Sequence, residues 1–253
     1  LDRPNPLGGV RIEGNVAEKG FFSFIGQFPI PYVYGLTAGE LARLLNGEGM
    51  LSEARRCSLT VVPMRGWKRK MTFEETGLPW VPTSPHVPTE NSPAGYVATG
   101  VLGELGVISE GVGFTLPFQV FAAPWIDPDR MAGEMNALNL PGVRFRPIIF
   151  KPFYGRMKDS ALSGVQIHFT DWKKAELLPL QFRFMEVHHR LYPSKNPFVL
   201  AAANRLGAFD RAAGTDEVRK RFSERMQYAD VAPYFMKDVG AFRRTSAKYL
   251  LYR

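Results

Sequence analysis

The sequence predicts a mixed α/β protein in two parts, and three observations carry that prediction. A capped amphipathic helix stands at 36–46, β-branched and alternating stretches read as strands at 143–150 and 164–170, and prolines crowd the segment between.

Taken in order, the opening through Gly14 is rich in Pro and Gly and reads as a loop leaving an upstream element. In the 36–46 helix, Thr37 and Glu40 have the spacing of a capping box, and Leu36, Leu41, Leu44 and Leu45 supply the apolar face. Residues 58–64 read as a buried strand, because Leu59, Val61 and Val62 form a short apolar run ending at Pro63. Prolines at 79, 82, 85, 88 and 93 then exclude a regular element, and the main boundary is placed near residue 97, dividing the chain into 1–97 and 98–253. Residues 96–102 look extended, and glycines at 103, 106, 111 and 113 require a tightly turning backbone.

Asp127-Pro128 opens a helix through Leu138, with Asp as the N-cap and Pro at the first helical position. In the 164–170 strand, Val165, Ile167 and Phe169 alternate with Gln166, His168 and Thr170, so one face is polar and asks for a reason. Helices are expected at 180–191 and 215–228, the latter capped by Thr215.

Composition narrows the function. A chain of 253 residues, 45% hydrophobic and 22% charged, is that of a packed globular protein, and its apolar runs are too short and too interrupted to span a membrane. The net charge of +8 invites a nucleic-acid reading, but Lys and Arg are scattered among 24 acids, which argues against that partner. A mild positive field suits an anionic polymer equally well. Cys57 is the only cysteine, so no internal disulfide and no cysteine-based zinc cage can form. Neither a phosphate-binding Gly-Lys-Thr/Ser motif, nor a dinucleotide Gly-x-Gly-x-x-Gly after a strand, nor a Gly-x-Ser-x-Gly elbow is present, and no cofactor is expected.

Glu104 and Glu110 have apolar and glycine neighbours that can raise a carboxyl pKa, as a general acid requires. A glycosidase needs its two carboxyls about 5–10 Å apart, whereas six extended residues span about 20 Å, so the chain must fold back between them. His168 lies in a polar row suited to sugar hydroxyls. The adjacent His188 and His189 point in different directions on a helix and receive no role. Trp67, Trp80, Tyr96, Trp125 and Tyr154 offer faces on which a sugar ring can stack.

The motifs Asp2-Arg3-Pro4-Asn5-Pro6-Leu7-Gly8-Gly9, Gly35-Leu36-Thr37-Ala38-Gly39-Glu40-Leu41-Ala42, Gly77-Leu78-Pro79-Trp80-Val81, Ser109-Glu110-Gly111, Ala123-Pro124-Trp125-Ile126, Gly164-Val165-Gln166-Ile167-His168-Phe169-Thr170-Asp171 and the closing Tyr249-Leu250-Leu251-Tyr252 stand in this order along the chain. Together they resemble the NamZ family of exo-β-N-acetylmuramidases. The resemblance implies a Rossmann-like N-terminal domain, whose end is residues 1–97, and a C-terminal α/β domain from residue 98, with a cleft between them for the non-reducing end of peptidoglycan fragments. It also implies further strands and a Pro-Glu-His-Gly-like motif upstream of Asp2, and an extracytoplasmic location. Glu104 and Glu110 then stand at two family glutamates. Leu105-Gly106-Val107 replaces Gly-Thr-Asn, Val112 replaces an arginine and His86 an asparagine, and each buried polar contact removed costs about 1–3 kcal/mol.

On this reading Glu104 is the acid/base or transition-state stabiliser and Glu110 supports it. Arg3, Asn5, His86 and His168 hold the substrate or the carboxylates, and Arg146, or Arg65, meets the lactyl carboxylate of N-acetylmuramic acid. A non-catalytic cell-wall carbohydrate-binding protein and a structural surface protein stand as alternatives. The sequence leaves open the oligomeric state and whether configuration is retained or inverted.

Overall fold

The structure, a computed structural model, describes residues 1–51, 55–171 and 173–253. In chain order its elements are β1 (Glu13–Val16), β2 (Pro31–Val33), α1 (Ala38–Gly47), α2 (Ser92–Gly103), β3 (Val120–Ala123), α3 (Pro128–Ala137), β4 (Val143–Phe150), β5 (Leu162–Phe169), α4 (Leu177–Leu191), α5 (Pro197–Leu200), α6 (Ala203–Ala213), α7 (Glu217–Arg225), α8 (Ala232–Met236) and α9 (Val239–Ala247). The protein is mixed α/β, and it divides into two compact units, Leu1–Val81 with Tyr234–Arg253, and Pro82–Pro233. No helix among the described residues is long and apolar enough to cross a membrane.

In the first unit, β1 and β2 pair antiparallel, and α1 starts on the expected capping box, with Thr37 accepting from the Glu40 N–H and Glu40 from the Thr37 N–H. Leu36, Leu44, Leu45 and Phe242 form its core with Ile12, Phe28, Ile30 and Leu41 around them. Burying each such side chain contributes about 1.5–3 kcal/mol. The fully buried Glu40 takes both oxygens to Arg69 Nη1 at 2.7 and 2.8 Å and also accepts from Leu251 N–H, so the capping residue doubles as a tie between distant segments.

The expected strand at 58–64 is not one. The segment runs outside any sheet with Leu59 and Val62 exposed: among the described residues its one backbone–backbone hydrogen bond is Asp2 N–H to Val62 C=O, and Pro63 cannot donate.

In the second unit the sheet order is β3-β5-β4, antiparallel throughout, with Val120, Gln166 and Arg146 in one row and Phe121, Val165 and Pro147 in the next. One face packs on the helices, where Phe121 stacks on Phe184 of α4 at 4.3 Å. The other carries Val120, Ala122, Phe150 and Leu162 beneath Phe114, Leu116 and Met157. Asp127 caps α3 through the Arg130 N–H, as its sequence requires.

Residues 96–102, expected to be extended, belong to α2, and the residue-97 boundary lies inside that helix. Pro93 in its first turn and small residues decide the matter: Ala94, Gly95, Ala98 and Thr99 are buried, and a β-carbon on Gly95 would collide with the Phe118 carbonyl. The β-branched Val97, Thr99 and Val101 mimic a strand, but tertiary packing overrides propensity. Gln181 of α4 secures the helix by accepting from Leu102 N–H at 2.7 Å and donating to Val97 C=O at 3.0 Å.

Candidate active site

The site begins where α2 stops. Leu105 and Gly106 N–H close a turn onto Leu102 and Gly103 C=O, and Gly106, at φ +69°, takes the left-handed conformation that sends the chain back. Ser109 then pairs antiparallel with Ala122 of β3, fixing the returning strand against the sheet. The fold-back demanded by the six-residue separation is thus present. Its form is a helix end and a return rather than a strand hairpin.

The return lays Glu110 against the last residue of α2. A β-carbon on Gly103 would lie 2.9 Å from the Glu110 Cδ and 3.0 Å from its Oε2, so only glycine lets the carboxyl sit there. Burial pushes this carboxyl up to about 7, against the pull of its own backbone N–H and of the Arg156 and Arg205 guanidinium groups, while the charge on Glu104 adds to the rise. Glu110 as a residue is only half-buried; the shift reflects how closely its carboxyl end is enclosed. Glu104, the C-cap of α2, faces Arg205 of α6 at 3.4 Å. That pair is partly exposed, and its stabilisation is at most about 1 kcal/mol.

A loop at 152–160 flanks this turn, tied by Phe153 N–H to Gly113 C=O at 2.9 Å. It presents Tyr154, on which the His86 ring stacks at 5.9 Å and 16°. It also presents Arg156, whose guanidinium carbon would lie 2.8 Å from a β-carbon on Gly106. Around one turn the structure therefore gathers Glu104, Glu110, Arg156 and Arg205, with His86 on the neighbouring loop.

Arg146 and His168 share the polar sheet face, since Arg146 pairs in register with Gln166 and Arg144 with His168. Arg146 Nη2 donates to Gln166 Oε1 at 2.7 Å, and His168 is exposed. The first unit holds the other two expected residues. Asn5 uses its amide on the backbone, donating to Leu36 C=O at 2.8 Å and accepting from Leu7 N–H at 2.9 Å. Arg3 is exposed and donates to Asp2 C=O at 2.8 Å. His188, left without a role, is fully buried and accepts from Trp125 Nε1 at 3.0 Å; burial, with some help from His189, lowers it to about 4. Among the described residues no three His, Cys, Asp or Glu side chains gather as metal donors.

Sequence reasoning missed Arg156 and Arg205. Arg205 is 101 residues from its partner, and no local spacing announces such a pair.

Comparison with known proteins follows the same outline. Residues 1–91 match the family model of exo-β-N-acetylmuramidase NamZ, N-terminal, and residues 94–252 the model of its C-terminal part. The peptidoglycan β-N-acetylmuramidase NamZ of Bacillus subtilis (strain 168) is 39% identical over the whole chain, which spans 58% of that protein. Among solved structures, a DUF1343 family protein of Bacteroides fragilis NCTC 9343 is 52% identical with a TM-score of 0.97, and the chain covers 65% of it. A second DUF1343 protein of the same organism gives 26% identity and a TM-score of 0.72, again with 65% covered. Matched by both family models along nearly its full length, the chain belongs to the NamZ family.

Proposed function

We propose that this chain contributes the Glu104–Glu110 site of a glycoside hydrolase that removes β-linked N-acetylmuramic acid from the non-reducing end of peptidoglycan fragments. The observation that carries the reading is the enclosed Glu110 carboxyl, raised to about 7 beside a second carboxyl. Near neutral pH such a group keeps a proton to give to a leaving glycosidic oxygen, a contribution of about 10²–10⁴-fold in rate. Glu104 then acts as the partner carboxylate. This exchanges the roles expected from sequence, because the more enclosed group makes the better acid.

The Bacillus subtilis relative, a peptidoglycan β-N-acetylmuramidase, supports this substrate class. The same reading makes residues 1–97 part of a Rossmann-like domain and sets the enzyme outside the cytoplasm, in the periplasm or secreted, where peptidoglycan lies. His168 and Arg146 would present their polar row to the substrate.

The test is release of the aglycone from a chromogenic N-acetylmuramic acid β-glycoside by the intact protein. Turnover is expected; a folded protein that releases nothing above background contradicts the reading. Apolar Val107 and Val112, at positions where the family motif is polar, favour the alternative of a carbohydrate-binding protein without activity. That alternative requires muropeptide affinity to survive Glu104→Gln, with no turnover before or after the change.

A further inference from the structure

Three arginines surround the two glutamates or the adjoining sheet face, and they differ in what already occupies them. Arg205 faces Glu104 at 3.4 Å. Arg146 donates to Gln166 at 2.7 Å. Arg156 makes no hydrogen bond or ion pair with any described residue, and it is exposed. It is nonetheless not a wandering surface charge. Its guanidinium lies across the backbone of Gly106, where a β-carbon would meet Cζ at 2.8 Å, and it acts electrostatically on Glu110.

The loop that carries it is pinned at both ends, by Phe153 N–H to Gly113 C=O and by Asp159 N–H to Pro152 C=O, each at 2.9 Å. Three and two residues before Arg156 the loop exposes Phe153 and Tyr154, the latter backed by the His86 ring. Apolar ring faces suit the C–H face of a sugar, and a planar guanidinium with its donors free suits a carboxylate held in two parallel bonds. Set on one short loop beside the acid pair, these groups form an edge that reads an acidic sugar.

We infer that Arg156 is a specificity-determining residue that binds the carboxylate of the sugar seated at Glu104 and Glu110, with Tyr154 and Phe153 lining the ring. The inference rests on the hydrolase reading for the identity of the sugar, which makes the lactyl carboxylate of N-acetylmuramic acid the group recognised. It moves that role from Arg146 to Arg156, because Arg146 is already engaged by Gln166.

The experiment is calorimetric titration of the intact protein with the methyl β-glycoside of N-acetylmuramic acid and with its uncharged lactyl amide. The two ligands are compared on wild type, Arg156→Gln and Arg156→Lys, with a circular-dichroism melt to show that each variant folds. The wild type is expected to bind the acid more tightly than the amide by about 10–100-fold, the range of a charge-assisted hydrogen-bonded pair. Arg156→Gln should bring the two affinities together, and Arg156→Lys should keep part of the difference because a charge remains without the planar fork. Equal affinities in the wild type, or an undiminished preference in Arg156→Gln, overturn the inference. Failure of the hydrolase reading is separately visible: an Arg156-dependent preference with no turnover of the chromogenic glycoside leaves carboxylate recognition standing and removes only the enzyme.

Discussion

Gly103 is the residue on which the site's geometry turns most sharply, since it is the absence of its side chain that admits the Glu110 carboxyl. The colliding atoms are the far end of a flexible side chain, so Gly103→Ala should leave thermal stability within about 1 kcal/mol of wild type while displacing the carboxyl. The expected result is a loss of about 10²-fold in kcat/KM, measured with the chromogenic glycoside alongside a melting curve. Unchanged activity would mean that the position of Glu110 is irrelevant. Both glutamates were legible in the sequence because acids among glycines and apolar residues stand out. Arg156 and Arg205 were not, because they reach the turn through tertiary folding, and an arginine in a polar loop looks like any solvated charge.

Among the elements, those with chemical punctuation were legible. α1 starts at a capping box and α3 at Asp-Pro, and both were placed to within a residue or two; β4 was placed at 143–150, and β5 followed from apolar alternation. Segments lacking such marks misled. Residues 96–102 are β-branched yet helical because α2 is buried nearly all round, which erases the helical period, and 58–64 is apolar yet belongs to no sheet among the described residues. The cap of α1 offers a quantitative check. Thr37 Oγ1 accepts from Glu40 N–H and donates to Asp2 Oδ2 at 2.7 Å, all in buried surroundings. Thr37→Ala should therefore cost about 1–2 kcal/mol or slightly more in urea denaturation, above the usual loss of an exposed cap. A change below about 0.5 kcal/mol would show that water replaces the cap.

At the scale of the molecule, the two ends of the sequence meet inside the first unit. Tyr252 Oη donates to Asp2 Oδ2 at 2.6 Å and accepts from Met64 N–H at 2.9 Å, while its ring packs edge-on to Trp67. Burial pushes the Asp2 carboxyl up, but the hydrogen bonds from Tyr252, Thr37, Gly39 N–H and Arg3 N–H together hold it below the usual range. A carboxyl lowered in the folded state stabilises above its unfolded pKa, and that stabilisation fades as pH falls through the folded value. Tyr252→Phe leaves both partners short of a bond and should cost about 1–3 kcal/mol, the difference from wild type shrinking in acid. A difference independent of pH down to the acid range would sever Tyr252 from Asp2. The return of 234–253 to the first unit was not legible in the sequence, because α9 and the closing Tyr-Leu-Leu-Tyr carry no local mark of the segment they pack on.

The proposal that Glu110 is the proton donor is tested most directly by the pH dependence of kcat/KM on the chromogenic N-acetylmuramic acid β-glycoside. A raised carboxyl is protonated below its folded pKa and loses its proton as pH climbs. The rate should therefore decline through about pH 7, and that limb should vanish, along with most activity, in Glu110→Gln. A Glu110→Gln variant that keeps both the wild-type rate and the alkaline limb near pH 7 would contradict it.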